Sequence, residues 1–302
     1  MFAIISDGGC DFSNKEVLKH GIQVVPFYIN IKEDTSIREG IDMSKEEYFN
    51  LLINEKGLSP KTAQPSPQDY LDVMEAHLSE GKDVLILTIS SKLSGSNQSA
   101  NLAASMALET YPERKVEVVD SLNASVGQGL ILTEIINMRN DGISLEDTIM
   151  ITSEIIKTTS VYFTLETLEY LKRGGRVGST TALVGGILGL RPILQLVNGE
   201  VSQLDNVRGK KKVLNLMSEA IVAALMDQKD NVNLAVGHIL NETDASAFKQ
   251  LVCSSLDTQF ATPLVEIGAA IGTHTGPGAM AFAYCKKYEE VMGIAKKLAK
   301  AS

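Results

Sequence analysis

The sequence predicts an α/β protein of two domains. The N-terminal domain is a doubly wound, mainly parallel sheet with helices on both faces, and the C-terminal one an α/β domain on a mixed or antiparallel sheet. Three observations carry this. Short continuous apolar runs alternate with amphipathic stretches through the first half, as strands covered on both faces do. Two alternating runs flank Asn198-Gly199, a strong hairpin signal. No repeat or low-complexity linker interrupts the 302 residues, a length at which one core commonly divides. The pattern changes near residue 158, so the expected domains are 1–158 and 159–302, meeting along a cleft.

The elements follow in order. "FAIIS" (2–6) is a buried strand, and "SDGGCDFS" (6–13) a turn in which Asp11 or Ser13 caps the next helix. "IQVVPFYINIKEDTSIREGIDMS" reads as a strand, a polar turn and a second extended piece, a lobe reaching off the sheet. In "TAQPSP" (62–67) two prolines hold the chain extended and Ser66 caps a helix. That helix places Tyr70, Leu71, Met74 and Leu78 on one face and stops at Gly81. "VLILTIS" (84–90) and "VEVVDS" (116–121) are further strands, each followed by a helix, in the βαβ manner that puts ligand loops at the carboxyl ends of strands. Beyond the boundary come the helix "LETLEYLKRGG", with Gly174 at its C-cap, then the hairpin. The strand "NLAVGHIL", a helix to about residue 256 and the strands "PLVEIGAAIG" and "AMAFAYC" complete the second unit.

Composition excludes several classes. The net charge of −9 opposes a broad nucleic-acid-binding face and disfavours adsorption to anionic lipid. Cys10, Cys253 and Cys285 are widely spaced with no CxxC, so neither a disulfide framework nor a zinc site is expected, and a reducing cytoplasm suits the chain. The N-terminus lacks a signal-peptide pattern. The most apolar stretch, "ALVGGILGLRPILQL", is broken by Arg191 and Pro192 well short of the roughly 18 residues a membrane span needs.

Five stretches could carry chemistry. The first two, "SDGGCDFS" and "TAQPSP" with Thr62, are explained by turns and caps alone. In "SSKLSGSNQSA" (90–100), Ser94, Gly95 and Ser96 lie where a strand becomes a helix. Their hydroxyls and free amides suit an anionic oxygen, and equally suit a serine-rich cap without ligand. Neither nucleotide-binding glycine fingerprint is present. Two basic clusters, Lys172-Arg173-Arg176 and Arg208-Lys210-Lys211-Lys212, are solvated faces or contacts for a phosphate or acidic partner. In "IGTHTGPGAM" (271–280), glycines that permit unusual dihedrals surround His274, which would follow a strand and could meet Ser94 across the cleft.

Taken together and in order, these motifs resemble the DegV family. They are Ser6-Asp7, T-x-Q-P-S (Thr62, Gln64, Pro65, Ser66), S-x-L-S-G-S (Ser91 to Ser96) and V-D-S (Val119 to Ser121). L-E-Y-L-x-x-G-G-R (Leu168 to Arg176), Arg208-Gly209 and H-x-G-P-G (His274 to Gly278) follow. The set spans almost the whole chain. Ala63 stands where serine is common and Ser96 where threonine is common, and neither departure touches a residue of the expected site. The resemblance implies one long-chain fatty acid held in the interdomain cleft, with no cofactor or metal. It further implies a FakB-like role as the fatty-acid-binding subunit of bacterial fatty acid kinase. In that role the carrier is not itself the enzyme: a separate subunit brings ATP and magnesium, and the acyl phosphate feeds phospholipid synthesis. By position, Thr62, Ser94, the Gly95 amide and His274 match the carboxylate site. His274 and Arg208 match residues assisting phosphoryl transfer, and Arg173 and Arg208 match kinase contacts. An acyl-phosphate acyltransferase and transient membrane contact are compatible; nucleic acid is not. "TALVGGILGLRPIL" and "GAMAFAY" are the expected tunnel walls.

Two other readings use the same residues. Ser94, Asp120 and His274 occur in the chain order of α/β-hydrolases, as a lipid esterase or acyltransferase would need, though the G-x-S-x-G elbow is missing from "KLSGS". A small-anion sensor would use the Ser94 loop with a short polar cleft.

Overall fold

The computed structural model describes residues 2–55, 57–177, 190–258 and 264–299. The first half comprises β1 (Ala3–Asp7), α1 (Asn14–His20), β2 (Gln23–Val25), β3 (Tyr28–Lys32), β4 (Thr35–Arg38), α2 (Lys45–Asn54) and β5 (Lys61–Ala63). It continues through α3 (Pro67–Leu78), β6 (Val84–Thr88), α4 (Ser96–Thr110), β7 (Val116–Asp120), α5 (Val126–Asn140) and α6 (Leu145–Thr158). Strands β2-β1-β6-β7 form a parallel sheet, and the expected lobe is a small antiparallel sheet, β4-β3-β5.

The second half contains β8 (Ser160–Thr164), α7 (Glu169–Gly174), β9 (Leu190–Val197), β10 (Glu200–Arg208), α8 (Lys210–Leu225) and β11 (Val232–His238). It ends with α9 (Glu242–Leu256), β12 (Leu264–Glu266), α10 (Ala269–Thr275), β13 (Met280–Lys286) and α11 (Tyr288–Ala299). Its six strands run β10-β9-β8-β13-β11-β12, antiparallel except for the last pair. The fold is therefore two-domain α/β, one sheet parallel and the other mixed. The β9–β10 hairpin turns at Asn198 and Gly199, with φ of 49° and 85°, the left-handed pair that a tight hairpin requires.

The layers follow from alternation along each strand. Ala3 and Ile5 face Tyr70, Met74 and the alanines of α4, whereas Ile4, between them, faces α5. In the second sheet, Leu234, Phe282 and Tyr284 meet α8 and α9, and Ala235, Ala281 and Ala283 turn the other way, toward α5. Helix α5 is thus sandwiched between the sheets and is buried nearly all round, Gln128, Glu134 and Arg139 included. Gly127 and Gly129 permit that approach: a Cβ at 127 would overlap Val161 of β8, and one at 129 would lie 2.9 Å from the Cys10 carbonyl oxygen.

Serines 13, 44 and 66 each cap a helix through a reciprocal box with Glu16, Glu47 and Asp69, as Ser-x-x-Glu/Asp spacing dictates. Two expectations need correction. The C-cap of α7 is Gly175, at φ 70°, and not Gly174. His274 does not lie in a loop after a strand; it sits in the last turn of α10, and only Gly276 and Gly278 beyond it adopt positive φ.

Candidate functional site

The loops leaving the carboxyl ends of β6 and β7 build one wall of a cavity, through Ile89, Leu93 and Ser94 and through Ala124 and Ser125. Its remaining walls come from Phe27 before β3, Thr62 and Gln64, the second sheet, Leu171 of α7, Arg176 and α10. The cavity is open at its mouth, and its space together with the solvent-filled mouth is about 930 Å³. Most of its lining is apolar, including Phe27, Phe163, Leu196, Ile267 and Met280. Of the expected tunnel segments, Ala279, Met280 and Ala281 lie on this wall, while residues 181–189 fall outside the described residues.

Polar groups gather at one place. Thr62, on β5 opposite Ile29, places its Oγ1 2.7 Å from Nε2 of His274. Burial, and secondarily the charge of Arg176, together push the His274 pKa down to about 4, so the ring is neutral at neutral pH. Its Nδ1 is buried with no partner among the described residues and lies against Gly174, where a Cβ would overlap it. Ser94 follows a turn closed by its own N–H on the Ser90 carbonyl, and its Oγ accepts from the Ser96 amide at 3.2 Å. Gly95 is the N-cap of α4, and a Cβ there would lie 2.9 Å from Nε2 of Gln64. Arg176 also lines the cavity; its Nε donates to the Leu93 carbonyl at 3.1 Å and a second nitrogen to Gly174 O at 2.5 Å.

Beneath the loops lies a group whose importance the sequence did not reveal. Asp7 is fully buried. Its carboxylate accepts from Gln128 Nε2 at 2.9 Å, Ser96 Oγ at 2.6 Å and the amides of Ile89 and Gly9 at 3.0 and 3.1 Å. Burial raises its pKa, and these donors oppose the rise. The "SD" turn thus ties β1, the loop after β6, α4 and α5 together under Ser94 and Gly95.

A family model described as an uncharacterised protein of the DegV family matches residues 1–287. The chain belongs to the DegV family. A DegV domain-containing protein of Caldanaerobacter subterraneus is 32% identical over 281 residues, covering 92% of this chain and 96% of the relative. Among solved structures, a stearic-acid-binding protein from Eubacterium ventriosum superposes with a TM-score of 0.92 at 31% identity, over 96% of this chain and all of that one (100%). A DegV family protein from Thermus thermophilus, described by its fatty acid binding, gives 0.86 at 32%, over 94% and 99%. Fatty-acid binding is thus a property of similarly built DegV proteins.

Thr62, Ser94 and His274 line one cavity, with Gly95 next to Ser94; Nε2 of the imidazole is bonded to Thr62, not to Ser94 as the hydrolase reading requires. Asp120 accepts from the amides of Ser91 and Leu122, a turn role, so no Ser94–His274–Asp120 relay is formed. Arg173 is exposed on α7, ion-paired with Glu169 and 5.7 Å from the centre of the Tyr170 ring. Arg208 is exposed at the end of β10, opposite Leu190, and does not line the cavity. Lys210 beside it is paired with Asp244. The cation lining the cavity, among the described residues, is Arg176. It went unsingled within a basic cluster because what distinguishes it, two backbone carbonyl partners, exists only in the fold. No group of three or more metal-ligating side chains occurs among the described residues, and among them no helix is long and apolar enough to cross a membrane.

Proposed function

We propose that this chain binds one long-chain fatty acid in the cavity and presents its carboxylate, FakB-like, to a separate ATP-dependent kinase subunit. The acyl phosphate formed there feeds phospholipid synthesis in the cytoplasm. The observation that carries the reading is a mainly apolar cavity with its hydroxyl, imidazole and guanidinium groups gathered at one place. A small-anion sensor would want the reverse ratio.

The neutral imidazole defines the head-group chemistry. A buried orphan N–H is rarer than an orphan acceptor, so the unpartnered Nδ1 is the bare nitrogen and Nε2–H donates to Thr62 Oγ1. The Thr62 hydroxyl hydrogen is then free to point at a carboxylate, beside the Ser94 hydroxyl and the Gly95 amide. Arg176 supplies the compensating positive charge. The tail supplies most of the affinity, since about 15 buried methylenes contribute roughly 0.8 kcal/mol each. His274 assists transfer by aiming Thr62, and Arg173 and Arg208, both exposed, face the kinase. Magnesium and ATP belong to that partner.

Native mass spectrometry of the purified protein, followed by denaturing extraction, tests the binding. A species at the mass of a long-chain fatty acid supports it, and an empty protein that refuses added fatty acid sinks it. His274→Ala should keep some fatty acid but slow its phosphorylation by the kinase subunit, and Arg208→Ala should impair transfer more than retention. Equal loss of binding in both would contradict this division.

A further inference from the structure

Resting on the fatty-acid reading, we propose that Ser125 is a chain-recognition residue, whose hydroxyl oxygen accepts a hydrogen bond from a hydroxyl group carried at mid-chain on the bound acid. Ser125 stands where β7 turns into α5, at φ 53° and ψ −132°, a conformation L-residues rarely adopt. Its amide is held by the Gly9 carbonyl at 2.7 Å. Ser125 is a wall residue of the cavity in an apolar neighbourhood, because Phe27, Ile89, Ala124 and Ala270 form one buried cluster there.

The hydroxyl hydrogen of Ser125 is committed to the Asp11 carboxylate, whose other oxygen accepts from the Gly268 amide at 2.8 Å. Acceptor capacity is what the Oγ has left to offer the cavity. A lumen for plain hydrocarbon would be served by alanine at this position, since Asp11 already has the Gly268 amide to bind. Position separates this point from the head group. Asp11 meets the start of α10 at Gly268, and His274 lies six residues on in the same helix, about 9 Å away at 1.5 Å per residue. A ligand hydroxyl entering the lumen loses its water partners and is costly unless something accepts from it.

The experiment compares octadecanoic acid with its monohydroxy isomers, the hydroxyl beside the carboxyl, at mid-chain or at the chain end, by calorimetric titration of delipidated protein. One net hydrogen bond corresponds to about a fivefold preference. The mid-chain isomer should exceed the other two by about that factor, and the ratio should collapse toward one in Ser125→Ala. Should alanine misfold at this backbone angle, Ser125→Gly, which relieves the strain while removing the hydroxyl, must give the same collapse. Absence of the preference in the parent protein, or its survival in the variant, overturns the proposal. Failure of octadecanoic acid itself to bind would overturn the fatty-acid reading instead, and this inference with it.

Discussion

Gly174 and His274 compete for one volume. A Cβ on Gly174 would overlap Nδ1, so glycine at 174 allows the imidazole to reach Thr62. Gly174→Ala should tilt the ring and break the Nε2–Thr62 bond, weakening fatty-acid binding by about tenfold, as a fluorescent-acid displacement assay would read. An unchanged affinity would remove the positioning role. The pH dependence of stability should follow from Glu39. Its pKa is lifted from an ordinary 4.5 to about 8, by burial first and by Asp11 and Asp7, against the Ala270 amide and Lys45, which oppose the rise. Between those values the native state holds a proton that the unfolded chain releases, so this contribution is full below pH 4.5 and is lost as pH rises through about 8. Glu39→Gln should flatten that part of a thermal-midpoint profile. His274 acts oppositely: with its pKa down at about 4, its contribution is present above the ordinary value and is lost as pH falls toward 4.

At the scale of elements, what was legible in the sequence was what neighbours in sequence decide. The Ser66–Asp69 box, the Asn198-Gly199 turn and the apolar runs of β1 and β6 all follow from spacing. Ser66→Ala should cost about 1 kcal/mol, seen as a lower urea midpoint at unchanged slope. What stayed hidden depends on distant partners. Helix α10 was read as part of a strand, yet its first turn is held by Asp11 on the Gly268 amide and Glu39 on the Ala270 amide, residues more than two hundred positions away. Of the two adjacent glycines, Gly175 takes the left-handed conformation that ends α7, its amide bonding back to Leu171 and Lys172, a choice that the pair Gly174-Gly175 leaves open in the sequence. The motif that contains Thr62 was legible, but the bond of Thr62 to His274 was not, since β5 belongs to a lobe whose docking no local pattern encodes.

Across the whole molecule, the cavity is made by parts of both sheets and the lobe, so a ligand in it stabilises all of them together. Delipidated protein should unfold at a lower temperature than the loaded form. Added fatty acid at about one hundred times its Kd should restore about 2.7 kcal/mol, with a single transition in both states as calorimetry would show. Two separate transitions would mean that the sheets unfold independently. Helix α5 argues against that, since it packs on β13, β11 and β8 while sharing a cluster with Ile4 and Leu85 of β1 and β6. The same arrangement sets a schedule for synthesis. A ribosome finishing α5 must add about 150 more residues before β13 exists to cover its second face. At about 5–20 residues per second that face stays bare for roughly 7–30 seconds. The nascent chain passes through a long interval in which a helix buried on nearly every side in the finished protein is half covered, and in that interval a chaperone would have something to hold.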